Sequence, residues 1–225
     1  MQVSKLTRDT IARAALELVD DGGLEALTMR RLGRELGVEA MSLYQYVANK
    51  DQLLDELLTL LYAEIDLPTY RDRDWRDVAT DLFAAFRVVL MAHPKTVVIF
   101  AARSVTSMPA LAPIDMSLGI FRRAGFGSEA AVDAHRILMS FTIGYLLAET
   151  TSVSRPDAIP RNSWGTAAFA LADLRADKVP YLAELAPVAL NRNADDQFEL
   201  CLGLVVSGLS ALQPEVGDDP PKCGL

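Results

Sequence analysis

Cysteine is nearly absent from this chain of 225 residues, which carries only Cys201 and Cys223. Two cysteines so placed have no metal-ligand spacing and build no disulfide framework. Zinc-finger and disulfide-scaffold classes are excluded, and a reducing, cytoplasmic setting is the expectation. Histidine is equally scarce. His93 and His135 stand too far apart for a local metal motif, so neither a metal nor a cofactor is expected. Long hydrophobic runs are missing too. The longest, 137–148, has 12 residues and includes Ser140, Thr142 and Gly144, whereas a membrane helix needs about 20. The start, MQVSKLTRD, has no apolar signal core. No P-loop, GxGxxG, GxSxG or HExxH pattern occurs, which leaves an enzyme without a recognisable site. Repeats are lacking, and no series of alternating strands emerges. The class expected is all-α, with no membrane partner.

Positive charge is in deficit overall, the net charge being −8, but unevenly so. Residues 1–50 balance Lys5, Arg8, Arg13, Arg30, Arg31, Arg34 and Lys50 against seven acids, so the deficit lies wholly beyond them. A neutral head and an acidic remainder suggest separate tasks.

What is present is helical periodicity. Ile11, Ala14, Ala15, Leu18 and Val19 share one face, and Gly22-Gly23 ends that helix. Thr28 is positioned to cap a second, short helix with Met29, Leu32 and Leu36 inside and Gly37 as its stop. Position 31 is arginine, so the capping box there is incomplete. A third short helix is expected over about 39–46. Asn49, with Gln52 three residues on, opens a leucine-rich fourth. Residues 68–74 are a polar, proline-containing break. Trp75 to Leu90 then repeats at helical spacing up to His93-Pro94, and a short apolar helix covers about 96–102. Pro109 and Pro113 punctuate the next entry point, and Gly125 closes that helix. Ser128 is placed to cap a long helix whose apolar row includes Val132, Leu138, Met139, Ile143, Leu146 and Leu147. A polar loop at 153–164, short helices over 165–190 and a last helix at about 194–212 complete the pattern. The organisation predicted is a head at 1–48, a connecting helix at 49–67, a larger helical domain at 68–213 and a tail at 214–225.

The stretch 28–46 has the spacing of a helix-turn-helix. Tyr44 and Tyr46 are two apart and cannot share a helical face. With Leu32, Leu36, Leu43 and Val47 packing the two short helices together, the second can offer Ala40, Met41, Gln45 and one or both tyrosines to a DNA major groove. Glutamine can read adenine, and small apolar groups can touch a thymine methyl. Tyrosine hydroxyls, Lys50 and helix N-termini can hold phosphates, and Arg30 can reach backbone or base. A purely structural corner would carry the same spacing.

Residues 7–61 resemble the N-terminal domain of the tetracycline-repressor (TetR) family of bacterial transcription regulators. The likeness lies in Gly23-Leu24-Glu25-Ala26-Leu27-Thr28, Arg30-Arg31-Leu32, Leu36-Gly37-Val38, Ser42-Leu43-Tyr44, Tyr46-Val47, Asn49-Lys50 and Leu53-Leu54. What the resemblance implies is double-stranded operator DNA held by Thr28, Arg30, Ala40, Met41, Ser42, Tyr44, Gln45, Tyr46 and Lys50. Farther on, Trp75, Phe86-Arg87, His93, Gly125-Phe126, Phe141-Thr142 and Gly144 resemble the ligand-binding domain of the tetracycline-repressor subgroup. That implies a homodimer joined by a four-helix bundle, here about 128–152 and 194–212, released from DNA by a small molecule.

The resemblance makes Phe86 the drug-contacting phenylalanine. By spacing from it, the subgroup's metal-binding histidine falls at Phe100, its threonine contact at Arg103 and its polar amide at Leu82. A magnesium–tetracycline site is therefore not expected. The effector should be apolar or amphipathic, or acidic if Arg103 faces the cavity. Candidate pocket residues are Leu82, Phe83, Phe86, Phe100, Arg103, Phe121, His135 and Met139. For the aromatics the alternative is ordinary core packing; for Arg103, a salt bridge or solvent; for His93 and His135, a structural role. A helical protein–protein adaptor whose head no longer binds DNA is the competing function, and Glu39 with the overall acidity keeps it open.

Overall fold

The computed structural model describes residues 6–103, 105, 107–151 and 177–213. These residues form α1 (Arg8–Gly22), α2 (Met29–Glu35), α3 (Ala40–Leu43), α4 (Lys50–Ala63), α5 (Trp75–Ala92), α6 (Val97–Ala102), α7 (Met108–Arg123), α8 (Ser128–Thr151), α9 (Pro180–Leu190) and α10 (Ala194–Gly208), with no strand among them. Single 3-10 turns occupy Leu24–Ala26, Pro94–Thr96 and Leu209–Leu212. The expected loop at 153–164, the helices expected before Pro180 and the tail from 214 lie outside the described residues.

Local chemistry sets the helix starts. Thr7 and Thr10 cap α1 reciprocally, the Thr10 amide donating to Thr7 Oγ1 at 3.1 Å and the Thr7 amide to Thr10 Oγ1 at 2.9 Å. Asn49 Oδ1 accepts from the Gln52 amide at 2.8 Å and opens α4. α3 is shorter than the expected 39–46. The amides of Tyr44, Gln45 and Tyr46 bond three residues back, to Met41, Ser42 and Leu43. That tighter winding ends the α-helix and turns Val47 into the core. α8 also differs at its start. Gly127, not Ser128, takes the Ncap position, its carbonyl accepting from the Ala131 amide at 2.9 Å. Pro113 does not precede α7 but lies inside it and is buried.

One continuous core runs from the head into the larger domain through α4. Leu53, Leu57, Leu58 and Leu61 are fully buried, each contributing about 1.5–3 kcal/mol against an exposed leucine. α1 packs on α4 from the head, and α6 and α7 pack on it from the larger domain. α5 lies against α7, α8 and α10. The chain bends by 101° between α5 and Pro94–Ala102, where His93 leaves the helix and Pro94 cannot continue it. No single helix among the described residues is long and apolar enough to cross a membrane. On α8 the buried row is Ala131, Ala134, Leu138, Thr142 and Leu146, which leaves Val132 exposed, contrary to the sequence pattern.

Polar clamps join head to core. His93 Nδ1 lies 2.7 Å from Asp20 and its Nε2 3.5 Å from Glu64. Lys95 donates to the carbonyls of Asp20 and Asp21 at the end of α1, where a cation complements the helix dipole. Deeper in, Arg87 of α5 bonds Glu149 of α8 at 3.1 Å and Asp195 of α10 at 2.8 Å, its guanidinium over the Phe198 ring.

Candidate functional site

The head presents a formed surface. α2 and α3 cross so closely that a Cβ on Gly33 would stand 2.8 Å from the Val38 carbonyl oxygen and 3.1 Å from the Ala40 nitrogen. Gly37, at φ +66°, supplies the left-handed turn between them. Leu32, Leu43 and Val47 are wholly buried beneath. Above them, Met41 is 76 % exposed and Tyr44 46 %. Gln45, Lys50, Thr28 and Arg30 are exposed, while Ala40 and Ser42 are half-buried. Tyr46 packs partly against the core, and its carbonyl accepts from Arg8 Nε at 3.1 Å. The two tyrosines thus divide: Tyr46 inward, Tyr44 outward. Thr28 Oγ1 accepts from the Arg31 amide at 3.2 Å, fixing the start of α2. Lys50 stands at the first turn of α4, Nζ 3.3 Å from the Leu24 carbonyl. Thr28, Arg30, Tyr44, Gln45 and Lys50 are thus all solvent-exposed.

The second site is a cavity in the larger domain, lined by Tyr62 and Ile65 of the α4 end, Leu82, Phe83 and Phe86 of α5, Pro113, Ile114 and Ser117 of α7, and His135 and Met139 of α8. Its volume is about 20 Å³, room for roughly one water. Five sequence candidates line it: Leu82, Phe83, Phe86, His135 and Met139. Three do not. Phe100 sits behind it, its ring 5.3 Å from Phe86 and 5.0 Å from Tyr62. Phe121 belongs to a separate aromatic cluster with Trp75 and Phe126, at 5.8 and 5.4 Å. Arg103 turns away altogether, holding Asp55 Oδ1 at 2.9 Å and Asp51 Oδ1 at 3.0 Å on α4. Carboxylates on an adjacent helix offer the guanidinium better partners than an apolar cavity does. An acidic effector met by Arg103 is thereby ruled out in this arrangement.

Sequence reasoning missed Tyr62, Ile65, Pro113, Ile114 and Ser117 as lining residues. One signal was available. Tyr62 interrupts a leucine row, and Ser117 sits on the buried face of α7 beside Ala110, Pro113, Ile120 and Phe121.

The cavity chemistry is almost wholly apolar. Only Tyr62, Ser117 and His135 bring polar atoms among its lining residues. His135 Nδ1 and Ser117 Oγ are hydrogen-bonded at 3.0 Å. Burial lowers the His135 pKa, keeping the imidazole neutral near pH 7. Burial pushes Tyr62 up to about 12, so its phenol stays protonated. This set does not suit a metal–drug chelate: it offers one imidazole whose Nδ1 is already engaged, and Phe100 offers only a hydrocarbon ring.

Comparison with known proteins follows the same division. The family model for bacterial regulatory proteins of the tetR family matches residues 11–57, and that for the tetracyclin repressor-like C-terminal domain matches residues 67–213. An HTH-type transcriptional regulator of Saccharopolyspora erythraea is 33 % identical over 79 % of this chain and 73 % of its own length. The class A tetracycline repressor of transposon 1721 from Escherichia coli is 32 % identical over 96 % of this chain and 100 % of its own. Among solved structures, a possible TetR family transcriptional regulator from Streptomyces coelicolor A3(2) superimposes with a TM-score of 0.79 at 31 % identity, over 92 % of this chain and 100 % of that one. ActR of Streptomyces coelicolor in complex with actinorhodin gives a TM-score of 0.79 at 26 % identity, over 95 % of this chain and 100 % of that one.

Proposed function

The chain belongs to the tetracycline-repressor family of bacterial transcription regulators, and from that premise we propose a ligand-responsive repressor that binds a palindromic operator as a homodimer and leaves it when a small molecule enters the core. The observation that carries the DNA half is the exposure of Met41 on α3 and of Tyr44 and Gln45 in the turn after it, above the buried Leu32, Leu43 and Val47, with Thr28, Arg30 and Lys50 also exposed. Thr28, Lys50 and Tyr44 serve phosphates; Arg30 and Gln45 serve base edges, with Met41, Ala40 and Ser42 giving close contact.

The dimer supplies two such faces at the spacing of successive major grooves. Support for the bundle comes from Ile137 of α8 and Leu200 and Leu204 of α10, which stand 42 %, 49 % and 65 % exposed in the single chain. Pairing with a second copy through α8 and α10 conceals these side chains. Gly144 and Gly203, where an added Cβ meets nothing, leave room for close helix approach.

The effector assigned here is an apolar or amphipathic organic molecule, not magnesium–tetracycline. A drug-sized ligand needs about 300–1,000 Å³, so the cavity of about 20 Å³ is a closed form that must open. Opening displaces Tyr62 and Ile65, and with them α4, whose other end carries Lys50. Ligand and DNA then compete through the position of one helix, each weakening the other by the same factor.

The test is fluorescence anisotropy on DNA upstream of the gene encoding this chain, over a salt series with nonspecific competitor. Tight, competitor-resistant binding that falls with salt is the expected result. Tyr44→Ala and Lys50→Ala should each weaken it while the circular dichroism and oligomeric state stay unchanged. Unaltered affinity in both variants would reject the assigned DNA face.

A further inference from the structure

We propose that the cavity recognises one uncharged hydroxyl or carbonyl group of its effector through the His135–Ser117 pair, and that it discriminates against effectors charged at that end. This rests on the cavity being the effector site.

The lining leaves little choice. Ile65, Leu82, Phe83, Phe86, Pro113, Ile114 and Met139 accept hydrocarbon only. No carboxylate, lysine or arginine is among the lining residues. An ionised ligand group would enter without a counter-ion, which is costly away from water. Among the lining residues, Ser117 Oγ engages His135 Nδ1 at 3.0 Å. The direction of that bond sets the tautomer and so the role of the other ring nitrogen. If the serine hydroxyl donates to Nδ1, Nε2 carries the hydrogen and donates to a carbonyl. If Nδ1–H donates to Ser117 Oγ, Nε2 accepts from a hydroxyl. Among the described residues nothing hydrogen-bonds His135 Nε2. Either state serves an uncharged polar group. Ion pairing with a carboxylate would require a protonated imidazole, which burial opposes. Tyr62, held as the protonated phenol, adds no charge of its own.

The sequence places the pair deliberately within reach. Ser117 is buried on the inward stripe of α7, one turn beyond Pro113. The missing amide of Pro113 removes one backbone hydrogen bond from that wall.

The experiment compares four probes with one aromatic body: naphthalene, 1-naphthol, 1-naphthoate and 1-naphthylmethylamine. Their affinities for the full-length dimer are measured by naphthyl fluorescence at neutral pH. The expected order is 1-naphthol tightest, by about threefold to tenfold over naphthalene, the effect of one net hydrogen bond, with both ions weaker than 1-naphthol. His135→Leu should erase the naphthol-to-naphthalene ratio, and Ser117→Ala should reduce it, whatever either does to affinity as a whole. Leu82→Trp, which fills the cavity, should abolish binding of every probe and so locate the site. Equal affinity for 1-naphthol and naphthalene, or a preference for 1-naphthoate, would overturn the polar recognition while leaving the cavity as the effector site. Binding that survives Leu82→Trp, or binding of no probe by a dimer that still holds DNA, would instead overturn the cavity reading and this proposal with it.

Discussion

At the residue scale, the two tyrosines of the head show how one short turn assigns opposite duties. Tyr46 closes the core and receives Arg8 on its carbonyl, whereas Tyr44 stays outside. His135 shows the reverse transfer, from a polar residue to an interior one. Its ordinary pKa of 6.5 applies to the unfolded chain, and burial lowers the folded value. Well above 6.5 both states are neutral and stability is complete. As pH falls below it, the unfolded chain takes up the proton first, and stability declines until pH passes the folded value. The wild type should therefore lose more stability than His135→Gln between about pH 7 and about pH 5, as read from urea midpoints. Parallel pH profiles for the two proteins would show that His135 is not held neutral.

At the element scale, the crossing of α2 and α3 depends on an absent side chain. A methyl group on Gly33 would meet backbone, not a movable side chain, at 2.8 Å. Gly33→Ala should therefore destabilise the head by about 1–3 kcal/mol, the usual cost of overpacking, and shift α3 enough to weaken DNA binding. Urea denaturation monitored with operator affinity measures both, and a fully stable, fully active variant would refute the close crossing. α4 is the other decisive element, since head and core both rest on it. Arg103 ties its first turns to the end of α6 through Asp51 and Asp55. Asp51 is largely exposed and Asp55 half-exposed, so the stability at stake is modest, below about 1 kcal/mol per pair. What Arg103→Ala should change is local order: hydrogen exchange across 50–56 should quicken while the global urea midpoint barely moves. Unaltered exchange there would mean that the clamp does not hold α4.

At the scale of the whole molecule, the proposed bundle is the part that covers Ile137 of α8 and Leu200 and Leu204 of α10, exposed in the single chain. Leu204→Glu places a charge on its most exposed leucine, Leu204 being 65 % exposed. Sedimentation should find this variant monomeric, with operator affinity lost because two heads no longer bind together. A Leu204→Glu dimer would move the interface elsewhere. The same scale explains the division of charge. A balanced head suits a polyanion better than the acidic remainder, the source of the net −8, does.

The sequence by itself determined the helical class, the caps at Thr28 and Asn49, the break before Trp75 and the helix-turn-helix, because those follow from periodicity and from backbone chemistry within a few residues. It also marked Tyr44 and Tyr46 as incompatible with one face. Tertiary structure alone decided which tyrosine points outward, that Phe121 serves a separate aromatic cluster, that Phe100 stands behind the cavity and that Arg103 belongs to α4. Each of those outcomes depends on partners far along the chain: Trp75 and Phe126 for Phe121, Tyr62 for Phe100, Asp51 and Asp55 for Arg103. A spacing rule carries a residue to a position on its own helix, but the nearest carboxylate or ring on another helix decides where the side chain goes.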